Sequence, residues 1–172
     1  MPYLLITRLG YSATGAGAAL LPFPIIMALA SPPMGALAGR IGARKPLMAG
    51  PVLVAVGLLL ALLAPSGSSY WTGVLPSVIA IALGMACSAA PLTAAVLSAV
   101  DARHTGAASG LNSAVAQLGG VVAISLIGGV LATRGEGFIK AFDLAAMVGA
   151  AMALAAGVVI AVLFNPALSP RR

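Results

Sequence analysis

The sequence predicts an all-α integral membrane protein with about five transmembrane helices, and two observations lead to this prediction. First, 61% of the 172 residues are hydrophobic and 7% are charged, whereas a soluble domain carries about 25% charged residues. A chain of this length cannot bury so much apolar surface in a water-soluble core. Second, short clusters of charged and turn-forming residues divide the chain into apolar stretches, each long enough to cross a bilayer core of about 30 Å as a helix.

The predicted spans follow one another in a single unit that covers residues 1–172. They occupy about 15–37, 46–64, 74–99, 107–132 and 144–164. A basic turn ends the first span, and a segment rich in serine and glycine, with Tyr70 and Trp71, ends the second. Because the connections are short, we expect neighbouring spans to run antiparallel.

Prolines and helix-capping residues predict details of these spans. We expect Pro22 and Pro24 to bend the first span, because proline removes a backbone hydrogen bond and clashes with the preceding turn. Pro91 is expected to act in the same way in the third span. Asp143 should cap the start of the fifth span, and Asn165 with the proline after it should end that span.

The basic residues predict how the chain is oriented in the membrane. One side collects Arg40, Arg44, Lys45, Arg103, Arg171 and Arg172, and the other collects Arg8, Arg134 and Lys140. Cytoplasmic loops carry the excess of Lys and Arg. We therefore expect a multi-pass protein of the plasma membrane with an external N-terminus and a cytoplasmic C-terminus.

Other classes of function find little support in the sequence. Cys87 and His104 are the only cysteine and histidine, so we expect no disulfide, no metal site and no cofactor. The basic residues are spread over helix ends, which argues against a nucleic-acid partner and leaves the lipid bilayer as the expected one. Asp101, Glu136 and Asp143 all fall at span ends. No nucleophile and base can therefore meet within the membrane, and we do not expect an enzyme.

Polar side chains are distributed unevenly among the spans. The second and fifth spans contain no Ser, Thr, Asn or Gln, whereas the third and fourth contain several. Polar groups are costly in hydrocarbon unless they face a partner or a cavity. We therefore expect the second and fifth spans to face lipid and the third and fourth to face the protein interior. The candidate cavity-lining residues are Ser88, Asn112, Ser113 and Gln117.

Small residues repeat at helical spacing along one face of the fourth span. They are Gly106, Ser109, Gly110, Ser113, Gln117 and Gly120. Small residues let two membrane helices approach closely. This face therefore serves for packing alone, or it serves for packing and also reaches a substrate path. Asn112 lies to one side of the face, and it need not share a role with Gln117.

The stretch "GALAGRIGARKPL" at 35–47 resembles the loop signature of the major facilitator superfamily. The matching residues are Gly35, Leu37, Ala38, Arg40, Gly42, Arg44 and Lys45, with Arg44 one place from the usual spacing. The stretches "GYSATGAGAALLPFPIIMALASPPMG" and "GAASGLNSAVAQLGGVVAISLIG" resemble the fourteen-helix multidrug–proton antiporter branch. Gly39 stands where the family has an aspartate, and the resemblance implies that Asp101 pairs with a basic residue of the motif.

The resemblance also implies a fold and a function. The family has two six-helix halves, and this loop lies between the second and third helices of each half. The chain therefore resembles the last five helices of a C-terminal half. We expect part of a proton-coupled multidrug efflux carrier for small amphipathic organic compounds, a truncated fragment that is inactive alone. Its partners would be the missing helices or a second copy. The alternative is an accessory or packing membrane protein without transport activity of its own.

Overall fold

A computed structural model describes residues 5–6, 10–63, 69–131 and 136–163 of the chain. The helices are α1 (Ala13–Ala18), α2 (Pro22–Ile41), α3 (Arg44–Leu63), α4 (Leu75–Ser98), α5 (Thr105–Leu131) and α6 (Glu136–Leu163), with a π-helical turn at Tyr70–Val74 and a 3₁₀ turn at Ala102–His104. Five segments of the described chain are long and apolar enough to cross a membrane: Ala13–Ile41, Arg44–Leu63, Tyr70–Ser98, Ala102–Ser125 and Phe142–Val162. The prediction of an all-helical membrane fold with five spans is confirmed.

The first span is broken where its prolines predict a bend. α1 ends at Ala18 and α2 begins at Pro22, a position where the missing N–H of proline does no harm. The Tyr70 hydroxyl donates a hydrogen bond of 2.8 Å to the carbonyl oxygen of Ala19 in the break. The start of the third span is therefore tied to this break. Pro91, by contrast, is buried inside α4, which continues as a helix to Ser98.

The helices alternate in direction, as the short connections predict. Gly50 of α3 lies against Ser88 of α4, and Gly57 of α3 lies against Ser77 near the other end of α4, so these two helices are antiparallel. α2 runs parallel to α4, because Phe23 lies beside Val78 and Gly35 faces Ala90.

The second span, α3, lies at the centre of the described bundle, which corrects the expectation that it mainly faces lipid. It packs along α4 on one side and α6 on another. Its buried residues are Pro46, Leu47, Gly50, Pro51, Ala55 and Gly57. A stripe of exposed apolar side chains remains for lipid, comprising Val52, Val56, Leu59, Leu60 and Leu63. A span without polar side chains suits an apolar protein contact as well as it suits lipid.

The fourth span, α5, is the least packed of the long helices, and it touches α4 and α6 only slightly. Between residues 105 and 125, every side chain is exposed except those of Thr105, Ala108 and Asn112. These three recur at helical spacing, so they mark the single face by which α5 meets the rest of the described chain.

The fifth span begins earlier than predicted. α6 starts at Glu136, so Asp143 is a half-buried residue inside the helix and cannot be its N-cap. Residues 136–141 thus extend the helix before the apolar segment Phe142–Val162. Several predicted positions lie outside the described residues, namely Arg8, Arg134, Asn165, Arg171, Arg172 and the side chain of Lys140.

Candidate functional site

The basic turn, residues 40–45, joins α2 to α3 through a glycine that its geometry requires. α2 ends at Ile41, and Gly42 adopts φ +86° before α3 begins at Arg44. A residue with a Cβ rarely adopts a positive φ of this kind, which explains the glycine at this place in the motif. Gly35, about two helical turns before Gly42, faces α4, and a Cβ built on it would stand 3.7 Å from that of Ala90.

The three cations of the basic turn have different surroundings. Arg40 lies in the last turn of α2, where the helix dipole favours a positive charge. Arg40 and Lys45 are exposed, whereas Arg44 is half-buried. The Nη2 atom of Arg44 donates to the carbonyl oxygen of Ala161 at 3.5 Å. One cation of the motif therefore reaches the backbone of α6, and the other two point outward.

Gly39 occupies the position at which the resemblance implies an aspartate. The residue is exposed, and a Cβ built on it would meet no atom within 4 Å. The described structure therefore has room for a side chain here, although the glycine supplies no carboxylate. Leu37, another residue of the motif, is also exposed.

Asp101 begins the connection between α4 and α5. Its carbonyl oxygen accepts a hydrogen bond of 2.8 Å from the His104 N–H and one of 3.5 Å from the Thr105 hydroxyl. Its side chain makes no capping hydrogen bond, and the carboxylate and the Arg40 guanidinium are both exposed. The pairing of Asp101 with Arg40 stays a prediction.

The two amides of α5 point in different directions. Asn112 is half-buried on the face that meets the bundle, whereas Ser113 and Gln117 are exposed. A Cβ built on Gly106, Gly110 or Gly120 would meet nothing within 4 Å. The small-residue face of α5 therefore has no packing partner within the described chain.

Ser88 lies at the contact between α3 and α4. Its hydroxyl donates a hydrogen bond of 3.0 Å to the Gly84 carbonyl oxygen of its own helix, and its Oγ occupies the space where a Cβ on Gly50 would stand. This placement argues against a role in lining a cavity. The hydroxyl is satisfied within its own helix, so it can sit in a helix contact.

Two open grooves run between α2 and α4, and they include residues that the sequence did not single out. The first, of about 530 Å³, is lined by Ser31, Ala89, Ala90, Thr93, Ala94 and Leu97. The Thr93 hydroxyl donates to the Ala89 carbonyl oxygen at 3.0 Å. The second, of about 500 Å³, is lined by Gly17, Leu20, Leu21, Phe23, Pro24, Val78 and Ile81 beside the break in the first span. Ser31 and Thr93 are too far apart in sequence for any local pattern to relate them.

The arrangement of these helices agrees with what comparison with known proteins finds. The family model described as Major Facilitator Superfamily matches residues 1–172. The chain belongs to the major facilitator superfamily. It is thus a multi-pass membrane protein of a transporter family, and its basic turn lies between two of its spans, as the resemblance implied.

Curated relatives of this chain are named as transport, export or resistance proteins. The chain is 37% identical over 123 residues to the multidrug resistance protein Stp of Mycobacterium tuberculosis, which covers 72% of this chain and 22% of that protein. It is 32% identical over 124 residues to a probable actinorhodin transporter of Streptomyces coelicolor, covering 70% and 21%. It is 31% identical over 120 residues to the cephamycin export protein CmcT of Amycolatopsis lactamdurans, covering 69% and 25%.

The matched segment is a small part of these major facilitator relatives. The chain spans about a fifth to a quarter of their length. Each relative therefore contains long segments that have no counterpart among the 172 residues.

Proposed function

We propose that this chain is one part of a proton-coupled efflux carrier for small amphipathic organic compounds, and that it does not transport when it is alone. The observation that carries the proposal is the outward face of α5, where Ser113, Gln117 and the glycines have no packing partner within the described chain. Polar side chains left in lipid cost of order 1 kcal/mol each. A face of this composition suits contact with further helices of a carrier or with a watery path between them.

The charged residues support the dependence on further helices. Proton-driven carriers rely on ionisable groups within the membrane, and the three acidic residues of this chain, Asp101, Glu136 and Asp143, lie at or near span ends. A coupling carboxylate deep in the membrane would therefore come from helices outside these 172 residues. Alternating access also needs two bundles that move around a shared site, and five spans supply less than one of the two.

The names of the relatives and the composition of the grooves support the proposed substrate class. The relatives are named for multidrug resistance, actinorhodin transport and cephamycin export. The grooves between α2 and α4 are mostly apolar, with the hydroxyls of Ser31 and Thr93 in one of them. Such walls suit an organic compound with a large apolar part and a few polar groups. We infer that the chain takes part in export as one part of a carrier and catalyses no reaction.

The proposed setting is the plasma membrane, with the basic turn in the cytoplasm. Arg40, Arg44, Lys45 and Arg103 lie at span ends on one side, and Lys and Arg accumulate in cytoplasmic loops. The C-terminus would lie on the same side and the N-terminus outside.

The test is efflux of a fluorescent lipophilic cation from vesicles under a proton gradient. Vesicles with this chain alone should release the cation no faster than empty vesicles. Vesicles with a complete carrier such as Stp should release the cation, and this efflux should stop when an uncoupler is added. Efflux by this chain alone that stops with the uncoupler would refute the proposal of dependence on other helices.

A complementation experiment distinguishes the proposal of a carrier part from the alternative of an accessory protein. The chain is co-expressed with Stp from which the matching segment has been removed. Restored efflux would support the proposed function. If the chain inserts but restores nothing, while the removed Stp segment restores efflux when supplied as a separate chain, the accessory alternative is favoured instead.

A further inference from the structure

We propose that Arg44 is a positioning residue that fastens α6 near Ala161 to the start of α3. The basic turn and this part of α6 would then move as one body. The inference concerns contacts within this chain and holds whether or not the chain belongs to a complete carrier. It gives Arg44 a role distinct from that of a simple cytoplasmic anchor.

The contact joins two distant parts of the sequence. The Arg44 Nη2 atom lies 3.5 Å from the carbonyl oxygen of Ala161, 117 residues further along the chain. Ala161 lies two residues before Leu163, the last residue that the structure describes in α6. The Arg44 Nε atom is shielded from solvent and has no acceptor among the described residues. The Ala161 carbonyl is thus the polar group to which this side chain is directed.

Helix electrostatics favour this direction for the side chain. Arg44 is the first residue of α3, and a positive charge is unfavourable at a helix N-terminus but favourable at a C-terminus. By extending to α6, the guanidinium leaves the positive end of its own helix and reaches a backbone carbonyl oxygen, which carries a partial negative charge. The half-buried setting of Arg44 strengthens the attraction, because solvent screens it less.

The packing of α3 on α6 brings Arg44 and Ala161 together. Gly149 of α6 approaches Leu58 with 3.2 Å between a built Cβ and Cδ1, and Gly157 approaches the Cβ of Pro51 at 3.5 Å. These contacts run in opposite directions along the two helices, so the helices are antiparallel. Arg44 lies further toward the start of α3, and this places it beside Ala161 of α6.

Comparison of Arg44 with the neighbouring Lys45 distinguishes a contact with α6 from a simple membrane anchor. Lys45 is the next residue and is exposed, and it would serve a membrane anchor equally well. Removing its charge alters the charge of the basic turn by the same amount without touching the contact with Ala161. Lys45→Gln is therefore the matched control for Arg44→Gln.

The test is amide hydrogen exchange of the full chain in lipid nanodiscs, read on peptides that cover α6. In Arg44→Gln, the amides of residues 158–163 should exchange roughly 3- to 10-fold faster than in the unchanged chain. Those around residue 150, in the middle of α6, should not change. Lys45→Gln should leave both sets within about twofold.

A charge-matched variant keeps the test decisive if Arg44→Gln does not insert. Ala43→Arg combined with Arg44→Gln retains the charge of the turn but moves the guanidinium by one residue. It should insert normally and still show faster exchange at residues 158–163. Equal effects of Arg44→Gln and Lys45→Gln would overturn the proposal. Unchanged exchange at residues 158–163 in the charge-matched variant would overturn it as well.

Discussion

Gly50 of α3 and Gly84 of α4 lie in direct backbone contact. A Cβ built on Gly50 would stand 2.7 Å from the Gly84 carbonyl oxygen, and one built on Gly84 would stand 2.6 Å from the Gly50 carbonyl oxygen. Real Cβ atoms do not approach other atoms so closely. Seven residues along α3, a Cβ on Gly57 would stand 2.9 Å from both the Ile81 nitrogen and the Ser77 carbonyl oxygen. Glycines at these three positions let the backbones of α3 and α4 approach closely.

The first prediction concerns this glycine contact. Gly84→Ala should lower the free energy of unfolding by about 1–3 kcal/mol, because the added methyl group forces two backbones apart. Gly119→Ala is the control, since a Cβ there meets nothing within 4 Å. It should be neutral or stabilising by up to about 1 kcal/mol, because alanine favours a helix over glycine. Unfolding in mixed micelles, followed by circular dichroism, gives the free energy of unfolding of both variants. Equal free energies of unfolding for Gly84→Ala and Gly119→Ala would contradict the prediction.

The second prediction concerns orientation in the membrane. Single cysteines replacing Ala43, Ser69 and His104 are introduced into a Cys87→Ser background. Because the basic residues concentrate on the side of positions 43 and 104, those two cysteines should be cytoplasmic and the one at 69 external. An impermeant maleimide added to whole cells should label position 69 alone. It should label the other two only after the membrane is opened, and the reverse pattern would show the opposite orientation.

The third prediction concerns Asp101 and Arg40 in a complete carrier. A double-mutant cycle with Asp101→Asn and Arg40→Gln should give a coupling free energy of up to about 1 kcal/mol, the range of an exposed ion pair. The cycle is measured on a chimaera in which this chain replaces the matching segment of Stp. Lys45→Gln replaces Arg40→Gln in a parallel control cycle, which should show no coupling. Additive effects in both cycles would argue against the pairing.

The fourth prediction separates the two amides of α5. Asn112→Ala should lower the unfolding midpoint of the isolated chain, because Asn112 is half-buried on the face that meets the bundle. Gln117→Ala should leave the midpoint unchanged or raise it, since it removes an exposed amide that costs of order 1 kcal/mol in lipid. Thermal unfolding in nanodiscs measures both. A larger loss of stability for Gln117→Ala would show that the outward face of α5 is packed.

The sequence was sufficient for features that depend on one helix at a time. Composition and the positions of charges gave the membrane environment and the five spans. Pro22 located the break in the first span, because the loss of an N–H acts on the adjacent turn alone. The order of residues 35–47 gave the family resemblance. The prediction that Asp143 caps the fifth span was wrong, because the helix already begins at Glu136.

The tertiary structure alone decided which faces of these helices meet. A lack of polar side chains in α3 is equally compatible with lipid and with an apolar protein surface, so only the packed bundle revealed its central position. Ser88 counted as a polar residue in the sequence, yet its hydroxyl is satisfied by Gly84 of the same helix. The contact of Arg44 with Ala161 joins residues 117 positions apart. Local patterns carry no information about such pairs, because the proximity of the two residues results from the antiparallel packing of α3 on α6.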